Sequence, residues 1–146
     1  MNENAIISNL SKINRLINHY IIEELEKRGI FGIVASHGSI LSMLFVREHM
    51  TFTDLSLAIN REKNTITMLI RKLEELGYVY LKKDPNDGRK KVISLTVKGL
   101  ALKPDFMEIS RLALEKVYED FEQEEKLLLL EYLDKILINV SESQEV

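Results

Sequence analysis

The segment from Asn60 to Gly99, NREKNTITMLIRKLEELGYVYLKKDPNDGRKKVISLTVKG, constrains the fold more tightly than any other part of the chain. Ile66, Leu69, Ile70 and Leu73 recur at three- and four-residue spacing, which predicts a helix with that stripe turned inward. Lys63, Asn64, Thr67, Met68 and Arg71 then face outward. Asn60 suits an N-cap and Gly77 a left-handed stop. Past Gly77 the pattern becomes β-branched, aromatic and alternating, over Tyr78 to Lys82 and Lys91 to Thr96, around the turn-forming run Asp84-Pro85-Asn86-Asp87-Gly88. This predicts a two-stranded hairpin. Its tip carries Lys82, Lys83, Arg89, Lys90 and Lys91 against Asp84 and Asp87 alone. Cations concentrated on an exposed tip call for an anionic partner, and phosphate fits best.

Upstream, Ser36 is positioned to cap a helix through Phe45, and Thr51 with Asp54 three residues later forms a capping-box pattern opening a helix through Ile59. Helix, helix, turn, helix and hairpin make a winged helix-turn-helix, so the fold class is mainly α with a small antiparallel β-hairpin (α+β). From Thr51 to Gly99 the residues resemble the MarR family of bacterial transcription regulators. The matching pieces are Leu55-Ser56, the Ser/Thr-rich helix Asn64-Thr65-Ile66-Thr67, Leu-x-x-x-Gly-x-Val from Leu73 to Val79, Asp87-x-Arg89, and Leu95-Thr96-x-x-Gly99. Each piece is common by chance, whereas their order and spacing together are specific. The likeness extends more loosely over both ends. It implies one MarR-type domain over 1–146, with 34–99 the winged DNA-binding part and 1–33 plus 100–146 a helical dimerisation part.

The net charge of −3 hides a division along the chain. From Arg61 to Lys91 there are nine cations and five anions, 9 − 5 = +4, which leaves −3 − 4 = −7 for the remainder. Such polarity presents a basic face to phosphates and keeps the acidic part away from them. With 146 residues, 45% hydrophobic and only 2 Pro and 6 Gly, a compact domain with helical extensions is expected. Cysteine is absent, which excludes disulfides, thiolate metal sites and the cysteine-based peroxide sensing of some family members. Neither a signal peptide nor a membrane-spanning run is present, so a cytoplasmic location and no membrane partner are expected.

A helix over roughly Ala5 to Arg28 carries Ile6, Leu10, Ile13, Ile17, Tyr20 and Leu25 on one side. From Glu122 to Val140, Leu127 to Leu130, Leu133 and Ile136 to Ile138 cover more than one face. Apolar surface of this extent has to be covered. Either the ends pack within a monomer or, as the resemblance implies, the terminal helices of two chains interdigitate as a homodimer.

Paired readers match half-sites roughly 34 to 36 Å apart, so the expected partner is double-stranded DNA bearing an inverted repeat. Asn64, Thr65, Thr67, Met68 and Arg71 are expected at the major groove, Arg71 on guanine and Met68 on a thymine methyl, with Lys63 and Lys72 on phosphates. Lys90 and Lys91 flank Arg89 in the wing. By resemblance Arg89 enters the minor groove, with Asp87 holding it by an ion pair.

An enzyme is not expected: there is no phosphate loop or nucleophilic triad spacing, and His19, His37 and His49 lack metal-ligand spacing. No cofactor or metal is expected. The resemblance places His37, with His19, at a crevice where a small aromatic or anionic effector would bind and release a repressor from its operator. The competing class is a winged-helix module that binds protein without DNA. Pro104 breaks the helix expected after Thr96, either as a kink or as the start of a new helix.

Overall fold

The computed structural model describes residues 2–142. Helix α1 (Ala5–Lys27) and helix α4 (Lys63–Glu75) end in the same way. After α1, Gly29 at φ +76° donates its N–H to the Glu26 carbonyl, and Ile30 donates to Leu25 at 2.9 Å. After α4, Gly77 at φ +80° donates to Glu74 and Tyr78 to Leu73 at 3.0 Å. These are paired 6→1 and 5→2 closures, which satisfy the last carbonyls and bring an apolar residue back onto the helix. Leu25, Ile30, Leu73 and Tyr78 are all buried in one core.

Helix α2 (Ala35–Val46) begins one residue before the expected cap, so Ser36 lies in its first turn and caps nothing. His37 closes that end instead: the Val34 N–H donates to its Nδ1 at 3.0 Å. Strand β1 (His49–Thr51) leads into α3 (Phe52–Ile59), whose capping box forms as expected. Asp54 N–H donates to Thr51 Oγ1 at 3.0 Å and Thr51 N–H to Asp54 Oδ2 at 2.9 Å.

Asn60 corrects a further expectation. It sits at φ 52° as the left-handed residue closing α3, and α4 starts three residues later behind Glu62. Asparagine serves both roles because its short amide tolerates the left-handed region as well as it caps.

Strands β2 (Val79–Lys83) and β3 (Lys91–Leu95) form the hairpin, but the sheet has three strands rather than two, in the order β1-β3-β2, all antiparallel. One row, Met50–Ile93–Leu81, crosses all three strands, with Met50 and Ile93 fully buried against Ile40, Leu41 and Leu44 of α2 and Leu55 of α3. The inward stripe of α4 closes this core.

Helix α5 (Val97–Leu100) is capped by Thr96, and α6 (Lys103–Val117) begins afresh with Pro104 in its first turn. Of the two outcomes for Pro104, a new helix is therefore the one realised, because a first-turn residue needs no N–H. The chain divides into two compact units at Arg111/Leu112. In the second unit α6 ends, Asp120 takes φ 63°, and helix α7 (Gln123–Glu142) follows. Tyr118 and Phe121 meet edge to face at 5.9 Å across this turn, with Lys126 Nζ 5.2 Å from the Tyr118 ring centre. Among the described residues no helix is long and apolar enough to cross a membrane.

Candidate nucleic-acid interface

Helix α4 shows two chemistries on opposite sides. Ile66, Ile70 and Leu73 are buried, while Lys63, Asn64, Thr65, Thr67, Met68, Arg71 and Lys72 are exposed. The Thr67 hydroxyl donates to the Lys63 carbonyl at 2.9 Å. Among the described residues, Arg71 makes no ion pair with Glu74 or Glu75, so its guanidinium is available to a ligand.

The wing tip is an ordered turn. The Asp84 N–H donates to the Lys90 carbonyl at 2.9 Å, the Asn86 N–H to Asp84 Oδ1 at 2.9 Å, and the Lys90 N–H to the Asp87 carbonyl at 3.0 Å. Asp87 departs from its expected role. Its carboxylate accepts the backbone N–H of Arg89 at 3.1 Å, and no ion pair with the Arg89 guanidinium forms. An aspartate two residues before an N–H closes a ten-membered Asx turn more readily than it reaches around a long side chain. The acid therefore fixes the Arg89 backbone and leaves its charge exposed beside Lys90 and Lys91.

Reader and wing are tied together at the wing base. Thr96 N–H donates to the Tyr78 carbonyl at 3.0 Å, its hydroxyl donates to the Gly77 carbonyl, and Gly99 N–H donates to Thr96 Oγ1 at 3.0 Å. Lys98 Nζ reaches the Leu76 carbonyl at 2.8 Å while lying 4.9 Å from the Tyr78 ring centre. A Cβ on Gly99 would overlap the Tyr78 carbonyl oxygen, so this position admits glycine alone. The Leu-Thr-x-x-Gly piece is thus a knot joining the end of α4, the start of β2 and the start of α5.

At the opposite end of the sheet, Asp54 is held below the usual carboxylate range. The Thr51 N–H lowers it most, burial opposes, and the Thr51 hydroxyl, Arg47 and Lys90 add to the lowering. Arg47 Nη2 lies 3.8 Å from Asp54 Oδ2.

The histidines do not form a group. His19 pairs with Glu23 on its own helix at 3.0 Å, and its side chain is exposed. His37 is only 8% exposed, with Nδ1 occupied by the Val34 N–H. Burial, then the nearby Lys72 charge, push the His37 pKa below its ordinary value, so at neutral pH it is an uncharged ring with its proton assigned to Nε2. His49 Nδ1 lies 2.7 Å from Ser94 Oγ across β1 and β3. Among the described residues no group of three His, Asp or Glu could hold a metal ion.

Comparison with known proteins agrees with this geometry. The model of the MarR family matches residues 33–91. The chain is 33% identical over 94 residues to the HTH-type transcriptional regulator SarZ of Staphylococcus haemolyticus, covering 63% of this chain and 61% of that protein. The first curated relatives are therefore spanned over about six-tenths of their length or less. The uncharacterized HTH-type transcriptional regulator YwoH of Bacillus subtilis is 31% identical over 122 residues, 83% of this chain and 85% of that one. Among solved structures, the S. aureus MepR–DNA complex superposes with a TM-score of 0.83 at 23% identity, over 95% of this chain and 98% of that chain.

Proposed function

The chain belongs to the MarR family, and from that premise we propose that it is a transcriptional regulator that binds an inverted-repeat operator in double-stranded DNA as a homodimeric repressor. The observation that carries the reading is the joint presentation of two exposed cationic elements by one rigid knot. Thr96, itself held by the Gly99 N–H, ties the base of the Arg89-bearing wing to Gly77 and Tyr78 at the end of α4, so the wing leaves the reader helix at a fixed point. A reader of this kind suits a major groove and its neighbouring minor groove. That a relative of the same fold was solved with DNA supports the choice of ligand.

In this reading Asn64, Thr65, Thr67, Met68 and Arg71 meet base edges, Lys63 and Lys72 meet phosphates, and Arg89, with Lys90 and Lys91, enters from the wing. Asp87 orders the turn that presents Arg89. Duplication is supported by apolar side chains that stay in solvent on a single chain: Ile6 and Ile13 on α1, and Leu127, Leu137 and Ile138 on α7. Two copies that cover these faces would set the readers about one helical turn apart. Bound across a promoter, such a dimer excludes polymerase without any further contact. The regulatory part of the proposal is release by a small aromatic or anionic ligand near His37, which would meet the ring edge bearing Nε2.

Selection of bound sequences from a random duplex library tests this reading. The expected consensus is a short palindrome with A·T-rich flanks where the wings lie. Recovery of no duplex, with capture of a protein partner instead, would assign the fold to protein binding.

A further inference from the structure

We propose that Arg47, paired with Asp54, acts together with Lys90 as a second phosphate clamp that extends the DNA-contacting surface from the wing onto the corner between α2 and β1. This inference rests on the DNA-binding reading above. Its geometry begins at the α3 cap: the Asp54 carboxylate accepts the Thr51 N–H through Oδ2 at 2.9 Å, and the Asp54 backbone N–H donates to Thr51 Oγ1 at 3.0 Å, so the carboxylate is held at the cap by one bond. Arg47, the residue that ends α2, stands 3.8 Å from that anchored carboxylate with more than half of its own side chain exposed. Thr51 is paired with Val92 across β1 and β3, which sets the start of α3 beside the strand that Lys90 leads into. Lys90 is exposed two residues before Val92, the partner of Thr51, and its charge adds to the lowering of the Asp54 pKa.

Arg47 and Lys90 against Asp54 leave these three side chains with a sum of +1. An isolated carboxylate in a basic strip would repel phosphate. Here it holds an arginine whose fork of five donors can serve a carboxylate and a phosphate together. The tether lowers the ordering cost of a contact made with the phosphate in register. The same negative charge weakens attachment to any duplex that fails to place one there, so Asp54 raises specificity while limiting total affinity. Sequence periodicity alone does not reveal the arrangement, because Arg47 joins Lys90 only through the pairing of β1 with β3.

The test is a titration of a fluorescently labelled random-sequence duplex with wild type, Arg47→Gln and Asp54→Asn over a range of salt concentrations, with thermal melting of each protein alongside. Arg47→Gln is expected to melt as wild type does and to flatten the slope of log affinity against log salt by about one. Asp54→Asn keeps an amide oxygen for the Thr51 N–H and removes the charge, so it is expected to bind the random duplex more tightly and with a steeper slope. An unchanged slope for Arg47→Gln overturns the clamp while wild-type binding leaves the wider reading standing. Weaker binding by Asp54→Asn at an unchanged melting temperature overturns the clamp as well. Wild-type protein that binds no duplex removes both together.

Discussion

Helices α4 and α7 are both rich in apolar residues, yet the chain treats them in opposite ways. In α4 the apolar positions form one stripe, and Ile66, Ile70 and Leu73 vanish into the core. In α7 they run around the helix, and none of its described side chains is fully buried; Leu127 and Leu137 remain about 60% exposed. The first helix is completed by its own chain. The second leaves in solvent a surface that water disfavours, at roughly 25 cal/mol per Å² of apolar area, which is the surface the proposed homodimer would cover. The polar side of α4 is the converse case: its exposed groups are those a ligand would use.

The largest effects should come from the side of the comparison that the chain satisfies alone. Gly99→Ala forces a methyl into the Tyr78 carbonyl, a backbone group that cannot yield cheaply, and breaks the knot at the wing base. A loss above about 3 kcal/mol is expected in denaturant unfolding. Ile70→Ala should cost about 2 to 5 kcal/mol by leaving a cavity. Leu137→Ser is the contrast: it should cost little within a single chain, and in light scattering it should shift the protein from twice 16.9 kDa toward 16.9 kDa. Equal unfolding costs for Ile70→Ala and Leu137→Ser at high dilution would erase the distinction between the two helices.

A second effect sharpens the division within the winged part. Arg89→Ala should leave melting unchanged while weakening operator binding by about 1 to 3 kcal/mol and reducing the salt slope by roughly one. Thr51→Ala, at the cap of α3, should do the reverse, costing about 1 kcal/mol of stability with a much smaller change in the slope.

The smallest effect is with pH. Because the folded-state pKa of His37 is depressed, its contribution to stability is fully present above the free value of 6.5 and is lost as pH falls from there toward the folded value. Asp54, Glu24 and Glu108 are also lowered, from 3.8 to 4.5 when free, so their contribution is lost only at more acidic pH. In a pH series of thermal melts, His37→Gln should remove the step that begins near 6.5 and leave the more acidic one. A step that persists in the variant assigns it to another group.

What the sequence revealed follows the same line. The α4 stripe, the Thr51–Asp54 box and the Gly77 stop each depend on residues within a few positions of one another, and each can be read directly. Strand β1 is not legible in the sequence because His49, Met50 and Thr51 are too short a run to show alternation; their strand character comes from β3, more than forty positions away. Asn60 was misplaced because a single residue type both starts and stops helices, and only the backbone decides which. At the start of α2 a hydroxyl such as that of Ser36 is the usual cap, and the imidazole of His37 that takes its place is a rarer solution that residue type does not announce. Within the candidate site, exposure of the α4 face followed from periodicity. The backbone role of Asp87 and the Arg47–Asp54–Lys90 grouping needed the turn and the sheet to be folded.

Hydroxyl-radical footprinting on a duplex recovered by selection tests the central claim most directly, because it reports where a rigid helix-and-wing pair touches the backbone. Two protected segments related by a dyad and spaced about one helical turn are expected, with outer minor-groove protection that disappears in Arg89→Ala. A single protected segment, or outer protection indifferent to Arg89, would contradict it.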